Sequence, residues 1–339
     1  MPARVTVREI AAETGVSIAT VSRVLNQQGN VAPQTRELVE RAVERLGVRA
    51  PSPRGGSPKP LGGAVYVRCP YLLTDYFGLI VSSIAETLDR HQRQLVLNAG
   101  EATQHDQVLP KLPGHRNLAG GILILPPESS DELIQLRARR FPFVVVDPRT
   151  PLPRDIAAVS AAHFAGARQV TSHLVRLGHT RIGVIGGPSE WLASDARLSG
   201  HAAALADAGI LPDPALVRPI QPTTEDGYRA AAQLLDLPDR PTALVAFNDK
   251  AAVGALQAAA DRRLAVPAEL SIAGFDDLDV SRATTPRLTT VRQPLQEMGR
   301  MAVSLLIRLL DRHEVEALHV ELATELISRD STGPARRPA

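Results

Sequence analysis

Two groups of residues have the types and spacing to do chemistry, and in both the chemistry is recognition. The first lies near the N-terminus, where Ser17, Ile18, Ala19, Thr20, Ser22 and Arg23 crowd into one short segment after Gly15. Arg23 can donate two hydrogen bonds to a guanine edge, and Ile18 and Ala19 can pack on thymine methyl groups. Thr6, Ser17, Thr20, Ser22, Asn26 and Thr35 are small hydrogen-bonding residues suited to phosphate oxygens, and Asn30 closes the polar loop beyond them. The second group consists of Asp147, Asn248 and Asp276, each placed where an apolar run ends. Ligands of parallel α/β folds sit at such strand ends.

The signatures of catalysis are missing. There is no Gly-x-Ser-x-Gly elbow, no P-loop, no His-Glu-x-x-His and no cysteine pair for zinc. Gly186-Gly187-Pro188 lacks dinucleotide spacing, and the adjacent Asp276-Asp277 does not by itself create glycosidase geometry. The reading is a binding protein, with no catalytic residue, cofactor or metal.

The elements that must position these residues fall into two zones. Thr6-Val7-Arg8-Glu9 is a capping box, followed by Ile10 and Ala11 at helical spacing and by Gly15 as a breaker. Ser17 can cap a second helix running to about Asn26, with Val21, Val24 and Leu25 as its apolar side. Pro33 fits the first turn of a third helix, buried through Leu38, Val39, Ala42, Val43 and Leu46. Helix, Gly15 and short helix make the spacing of a helix-turn-helix. A three-helix bundle with capping hydroxyls fits the same pattern. Residues 49–60 hold four prolines and two glycines and read as a linker. Beyond them, strand patterns at 63–67, 94–98, 121–125, 143–147, 182–186, 243–247 and 270–274 alternate with helical patterns. The latter run over 78–91, 166–177, 197–208, 226–235 and 250–260. Apolar strands alternating with helices predict an α/β fold with parallel sheets covered on both faces, in two similar subdomains.

Bulk properties fit this division. The chain has 339 residues, 44% hydrophobic and 22% charged, too long for one ordinary domain. Aromatics are scarce at 3%. Residues 1–60 carry nine Arg or Lys against five acids, so the head is basic and the rest is slightly acidic. A basic head points to an anionic partner. The single cysteine, Cys69, forbids an intrachain disulfide and fits a reducing compartment. No apolar run reaches membrane-spanning length and no signal-peptide pattern opens the sequence. The expected location is the cytoplasm, without membrane contact.

The run Val5–Ala11 and the run Gly15-Val16-Ser17-Ile18-Ala19-Thr20-Val21-Ser22-Arg23-Val24-Leu25-Asn26 resemble the head of the lactose/galactose repressor family. Leu177-Gly178-His179-Thr180-Arg181-Ile182-Gly183, Phe247-Asn248-Asp249, Gly274-Phe275-Asp276-Asp277 and Pro286–Pro294 extend the resemblance along almost the whole chain. It implies a helix-turn-helix domain (1–48), a linker (49–61) and a periplasmic-binding-protein-like core (62–330) of two Rossmann-like halves. The N-terminal half spans about 62–159 and 291–319, and the C-terminal half about 160–290 and 320–330. Residues 331–339 are expected to be a disordered tail. The resemblance further implies a homodimer on double-stranded operator DNA and a small-molecule effector between the halves. The expected function is a repressor of carbohydrate-utilisation genes released by a mono- or disaccharide. The alternative is a co-repressor-dependent regulator sensing a nucleobase or other small polar metabolite. The effector contacts it implies are Asp75, Tyr76, Phe77, Asp147, Arg197, Asn248, Asp276 and Gln293, with carboxylates, amides and an arginine suited to a polyol; Trp191 is added from the residues themselves, as a stacking surface or a partly buried loop tryptophan. Asp249 and Asp277 read as structural, and His179 as a satisfied turn histidine. Ile80–Leu88 and Met298–Leu310 are candidates for the dimer face or for the core.

Three positions depart from the family pattern. Pro222 replaces a customary aromatic five residues before Gly227, leaving Trp191 as a candidate stacking surface. Ala32 replaces a capping serine before Pro33, at a cost of about 1 kcal/mol. Val48-Arg49-Ala50-Pro51 and the Pro/Gly/Ser run replace a hinge helix whose leucine would wedge into the minor groove; no leucine occurs between Leu46 and Leu61. The expected consequence is weak operator bending. Circularly permuted operator fragments should show no strong central kink in gel mobility, and a kink would refute the expectation.

Overall fold

The computed structural model describes residues 7–17, 20–21, 24, 31–45, 63–313 and 318–335. Two compact units divide the chain near Lys59 and Pro60. The linker reading at 49–61 lies outside the described residues, as do Thr6 and its capping box.

In the N-terminal unit, helices Val7–Thr14 and Pro33–Arg45 flank helical residues at 20–21 and 24. Gly15 takes φ +67°, the left-handed conformation that ends the first helix without steric cost. The Ser17 hydroxyl accepts from the Thr20 amide at 3.2 Å, and the Ser17 carbonyl accepts from Thr20 and Val21. Ile10, Val21, Val24 and Val39 close a small core. Leu38 is not part of the buried side expected for it: it is 42% exposed, because a 100° step per residue turns it away once Val39 and Ala42 face inward. At Ala32 only the backbone carbonyl caps, accepting from Thr35 and Arg36.

The larger unit holds two parallel sheets. The first orders β11-β5-β4-β3-β1-β2, with β1 Ala64–Cys69, β2 Leu95–Ala99, β3 Leu118–Ile124, β4 Phe143–Val146, β5 Ala157–Ala161 and β11 His319–Leu322. The second orders β7-β6-β8-β9, with β6 Ile182–Gly186, β7 Val217–Pro219, β8 Ala243–Ala246 and β9 Ser271–Ala273. An antiparallel pair, β10 Thr290–Arg292 and β12 Glu325–Ile327, lies at the crossovers. All ladders within the two sheets are parallel. The N-terminal half therefore reaches Ala161 and Leu322, past the expected limits of 159 and 319. Its last strand pairs with β5, from His319 with Ala158 to Leu322 with Ala161.

Helices Asp75–Arg90 and Leu295–Leu310 pack together on the first sheet. Ile80, Ile84, Leu88, Met298, Ala302, Val303 and Leu306 are buried in its core, so these apolar faces serve the fold of the single chain. The C-terminal stretch is not a free tail from 331. Ser331 is fully buried, Thr332 bonds His173, and the Ala335 amide donates to the Leu177 carbonyl. His179 helps hold it, with Nδ1 on Thr242 and Nε2 within 3.0 Å of Ser271 Oγ and the Gly333 carbonyl. Residues 336–339 lie outside the described residues.

Helices Thr224–Leu235 and Asp249–Asp261 approach so closely that Gly254 meets backbone: a Cβ there would collide with the Thr224 carbonyl and the Tyr228 amide. Gly254→Ala should force the helices apart and destabilise the protein by about 1–3 kcal/mol, read as a lower urea midpoint. An unchanged midpoint would show that the contact is slack.

Candidate functional site

A cavity of about 420 Å³ lies between the two sheets of the core, bounded by loops that follow β1, β3 and β4 on one side and β6, β8 and β9 on the other. The strand order reverses beside β1 and beside β6, so these loops diverge and leave a crevice.

Of the residues expected to contact an effector, Tyr76, Phe77, Asp147, Trp191, Arg197, Asn248 and Asp276 line this cavity. Asp75 does not. It is exposed in the first turn of its helix, where a carboxylate favours the N-terminal dipole, and the helical step turns it away from Tyr76. Gln293 also stays out of the lining, since its Nε2 donates to Asp276 Oδ1 at 2.6 Å, fixing that carboxylate from behind. Asn248 caps helix Asp249–Asp261 by accepting from the Ala251 amide, and its Nδ2 donates to the Pro222 carbonyl.

The centre of the site is a bonded chain. Tyr76 donates its hydroxyl to Asp147 Oδ2 at 2.8 Å, and His163 Nε2 meets Asp147 Oδ1 at 2.7 Å. Arg197 donates to His163 Nδ1 and to the Phe247 carbonyl. A guanidinium has no acceptor, so Nδ1 must accept, which places the imidazole proton on Nε2, facing Asp147. Arg197 lies over the rings of Phe247 and Phe275, 4.3 and 3.8 Å from their centroids. Asp147 thus pairs with His163 and not with Arg149, which sits over Trp191 and faces Glu190 at 3.7 Å. His163 was not legible as a site residue. It opens the helix after β5, whose Ala-rich segment carries little strand signal.

The carboxylates differ in charge state. Burial opposes ionisation of Asp147, but His163 and Tyr76 outweigh it and hold the acid below its ordinary range. Asp276 is pushed up to about 7, chiefly by burial and also by Asp147, against the pull of Arg197, Gln293 and Lys250. Asp249, beside it, is raised by burial and by the charge of Asp276. Asp249 accepts from Thr290 Oγ1 and the Leu278 amide, while Asp277 gathers Arg282, Arg292 and Arg329; both tie the crossovers together. Aromatic walls complete the cavity: Tyr71 stacks on Phe77 at 4.5 Å, and Trp191 meets Phe247 edge to face. Tyr71, Glu101, Gln104 and Lys250 were not expected from the sequence. Lys250 Nζ donates to Thr74 Oγ1 across the cleft at 3.2 Å.

In the N-terminal unit, Ser17 is exposed and its hydroxyl sits 2.9 Å from that of Thr20, while Thr35 is half-buried. Thr6, Ile18, Ala19, Ser22, Arg23, Asn26 and Asn30 lie outside the described residues.

Residues 6–49 match the model of bacterial regulatory proteins of the lacI family, and residues 171–332 match a periplasmic binding protein-like domain. The HTH-type transcriptional repressor CytR of Escherichia coli (strain K12) is 32% identical over 329 residues, 96% of each chain. The chain belongs to the lacI family. It is a DNA-binding transcriptional regulator and not an enzyme. Catabolite control protein A of Priestia megaterium is 28% identical over 97% of this regulator and 99% of its own length. Among solved structures, a transcriptional regulator CelR–cellobiose complex aligns with TM-score 0.71 and 29% identity over 97% of this chain and all of that one. The Lac repressor dimer bound to operator and the anti-inducer ONPF aligns with TM-score 0.73 and 27% identity, over 98% and 100%. Among the described residues no helix is long and apolar enough to cross a membrane.

The pH dependence of stability follows from Asp276. Its folded value of about 7 exceeds the unfolded value of about 3.9, so the folded state binds more protons between them and stability falls as pH rises through that window. Asp276→Asn should remove the loss, gaining on the natural protein by at most about 4 kcal/mol between pH 4 and pH 7 at about 1.36 kcal/mol per unit. Urea titrations of both proteins across that range check it; parallel curves would show that Asp276 ionises normally.

Proposed function

We propose that this regulator is a homodimeric repressor that reads a pseudo-palindromic operator through its two helix-turn-helix units and leaves it when a mono- or disaccharide fills the cleft. The supporting observation is the pairing of two buried carboxylates, Asp147 and Asp276, with aromatic walls from Tyr71, Phe77, Trp191 and Phe247 around one cavity. Sugar hydroxyls donate to carboxylates while ring C–H faces cover aromatic carbon. The names of structural relatives agree, since cellobiose and ribose are bound to two of them. In the head, Ser17, Ile18, Ala19, Thr20, Ser22 and Arg23 are proposed to face the operator, with Thr6, Asn26, Asn30 and Thr35 near phosphates.

The chain crosses between the sheets after Ala161, between Arg292 and Leu295, and between Leu322 and Glu325. These crossovers act as hinges, and a ligand that bridges Asp147 and Asp276 favours one closure state, shifting the population away from the DNA-competent form. A second reading is a nucleobase co-repressor. The four aromatic walls favour it, as does a carboxyl at Asp276 that still holds its proton near neutrality and can donate to a ring nitrogen.

Fluorescence anisotropy of a selected operator duplex, at fixed salt, against monosaccharides, disaccharides and nucleobases separates the readings. A sugar should release the duplex, with Asp276→Asn requiring at least about tenfold more sugar at unchanged operator affinity; one hydrogen bond to a charged group is worth about 1.5–3 kcal/mol. Tightening by a nucleobase would replace the first reading with the second.

A further inference from the structure

Behind the wall formed by Arg197 and Phe247 lies a second cavity of about 210 Å³, under helix Leu192–Asp207 and over strands β6, β7 and β8. It continues into a surface groove of about 480 Å³, with Val184, Leu198, His201 and Val217 lining both. The walls are apolar side chains, chiefly Val184, Val217, Val245, Phe247 and Phe275. Apolar walls enclosing a volume of this order suit an aromatic guest; an enclosed cavity lined by Leu, Ile and Phe, of about 150 Å³, binds benzene. The Arg197 guanidinium is already occupied by His163 and the Phe247 carbonyl, and Arg181 at the groove is paired with Asp213 and Asp239. Neither cation is free for an anion, and Asp195 at the rim repels one.

Two polar groups of one helix, His201 and Ser194, interrupt the apolar lining. His201 is 95% buried, and its Nδ1 is engaged with Thr171 Oγ1 at 3.0 Å. Its Nε2 has no hydrogen-bond partner among the described residues, although His201 lines both the cavity and the groove. Burial holds its pKa down to about 4, so the ring is uncharged near neutrality. Ser194, on the same helix and also lining the cavity, has a buried hydroxyl without a partner. An aromatic ring bearing one hydroxyl satisfies such a site, its face against the valines and phenylalanines and its hydroxyl on the imidazole.

We propose that this cavity is a second small-molecule site, for an uncharged aryl group carrying one hydrogen-bonding substituent, of the phenol class. The group arrives either as a free phenol or as the aglycone of a ligand whose polar part occupies the main cavity. The site shares Arg197 and Phe247 with the main cavity and is otherwise built mainly from the second sheet and helix Leu192–Asp207, so phenol binding is read independently of the sugar reading.

Calorimetric titration of the full-length protein with phenol tests it. Phenol should bind at one site per chain, and benzoate at least tenfold more weakly. Val217→Phe places a ring in the cavity from a half-buried edge strand and should abolish binding. His201→Phe should weaken phenol at least tenfold while leaving benzene binding within twofold, and circular dichroism on heating verifies that both variants fold. Phenol that fails to saturate, or that binds Val217→Phe as well as the natural protein, overturns the proposal. Displacement of phenol by phenyl β-D-glucoside and not by methyl β-D-glucoside assigns the aryl group to an aglycone. Displacement by neither assigns it to a free phenol, and in both cases the site stands whether or not any sugar releases operator DNA.

Discussion

Arg197 enters the interior of the core without a carboxylate within ion-pairing distance among the described residues, and burial alone lowers its affinity for a proton. Two phenyl faces, a backbone carbonyl and an imidazole nitrogen hold the guanidinium directly, and the carboxyl groups of Asp276 and Asp147 favour its charge from farther away. This constraint spreads outward. The imidazole must keep Nδ1 free to accept, so its proton points at Asp147, and Asp147 in turn holds Tyr76. A single line of polar contacts therefore runs from the helix Asp75–Arg90 of the first sheet to the loop after β8 of the second. Deleting any member leaves a buried polar atom without a partner, which costs more than the bond itself contributed.

The same economy of buried charge organises the crossovers. Asp277 collects three arginines, one from the short helix Val280–Ala283, one from β10 and one from the C-terminal stretch. Asp249 anchors Thr290 and the amide of Leu278. The connections between the sheets are also held within their spans, where Gln293 donates to Asp276 and Thr324 donates to the Ala162 carbonyl. Across the open side Lys250 reaches the Thr74 hydroxyl, Arg149 lies over Trp191 and faces Glu190, and the Leu192 amide donates to the Arg149 carbonyl.

The cavity sits where these constraints meet. Asp147 is held ionised by its partners and Asp276 is poised between charge states by burial, so two chemically similar side chains present different faces to a ligand. On the proposed function, that difference sets what an effector would supply: donors to Asp147, and either a donor or an acceptor to Asp276 according to pH. Both carboxylates also belong to the framework that joins the halves, Asp147 through His163 and Asp276 through Gln293.

By itself the sequence determined the class of the protein. The segment Gly15–Asn26 and the alternation of apolar runs with helical patterns are local signals, carried by residues close together in the chain, and they placed the head, the parallel sheets and the strand-end residues Asp147, Asn248 and Asp276. The strands Ala157–Ala161 and His319–Leu322 left no such trace. One is rich in alanine and the other is polar at alternate positions, and both become strands only because the sheet offers an edge to pair with. The ordering of Ser331–Ala335 likewise depends on His173, His179 and Ser271, residues brought near by folding. Only the tertiary structure decided that Asp75 turns outward, that Gln293 serves Asp276 from behind, and that His163 completes the site. Each of these depends on side-chain direction and on neighbours more than ten residues away, and spacing along a chain does not record either.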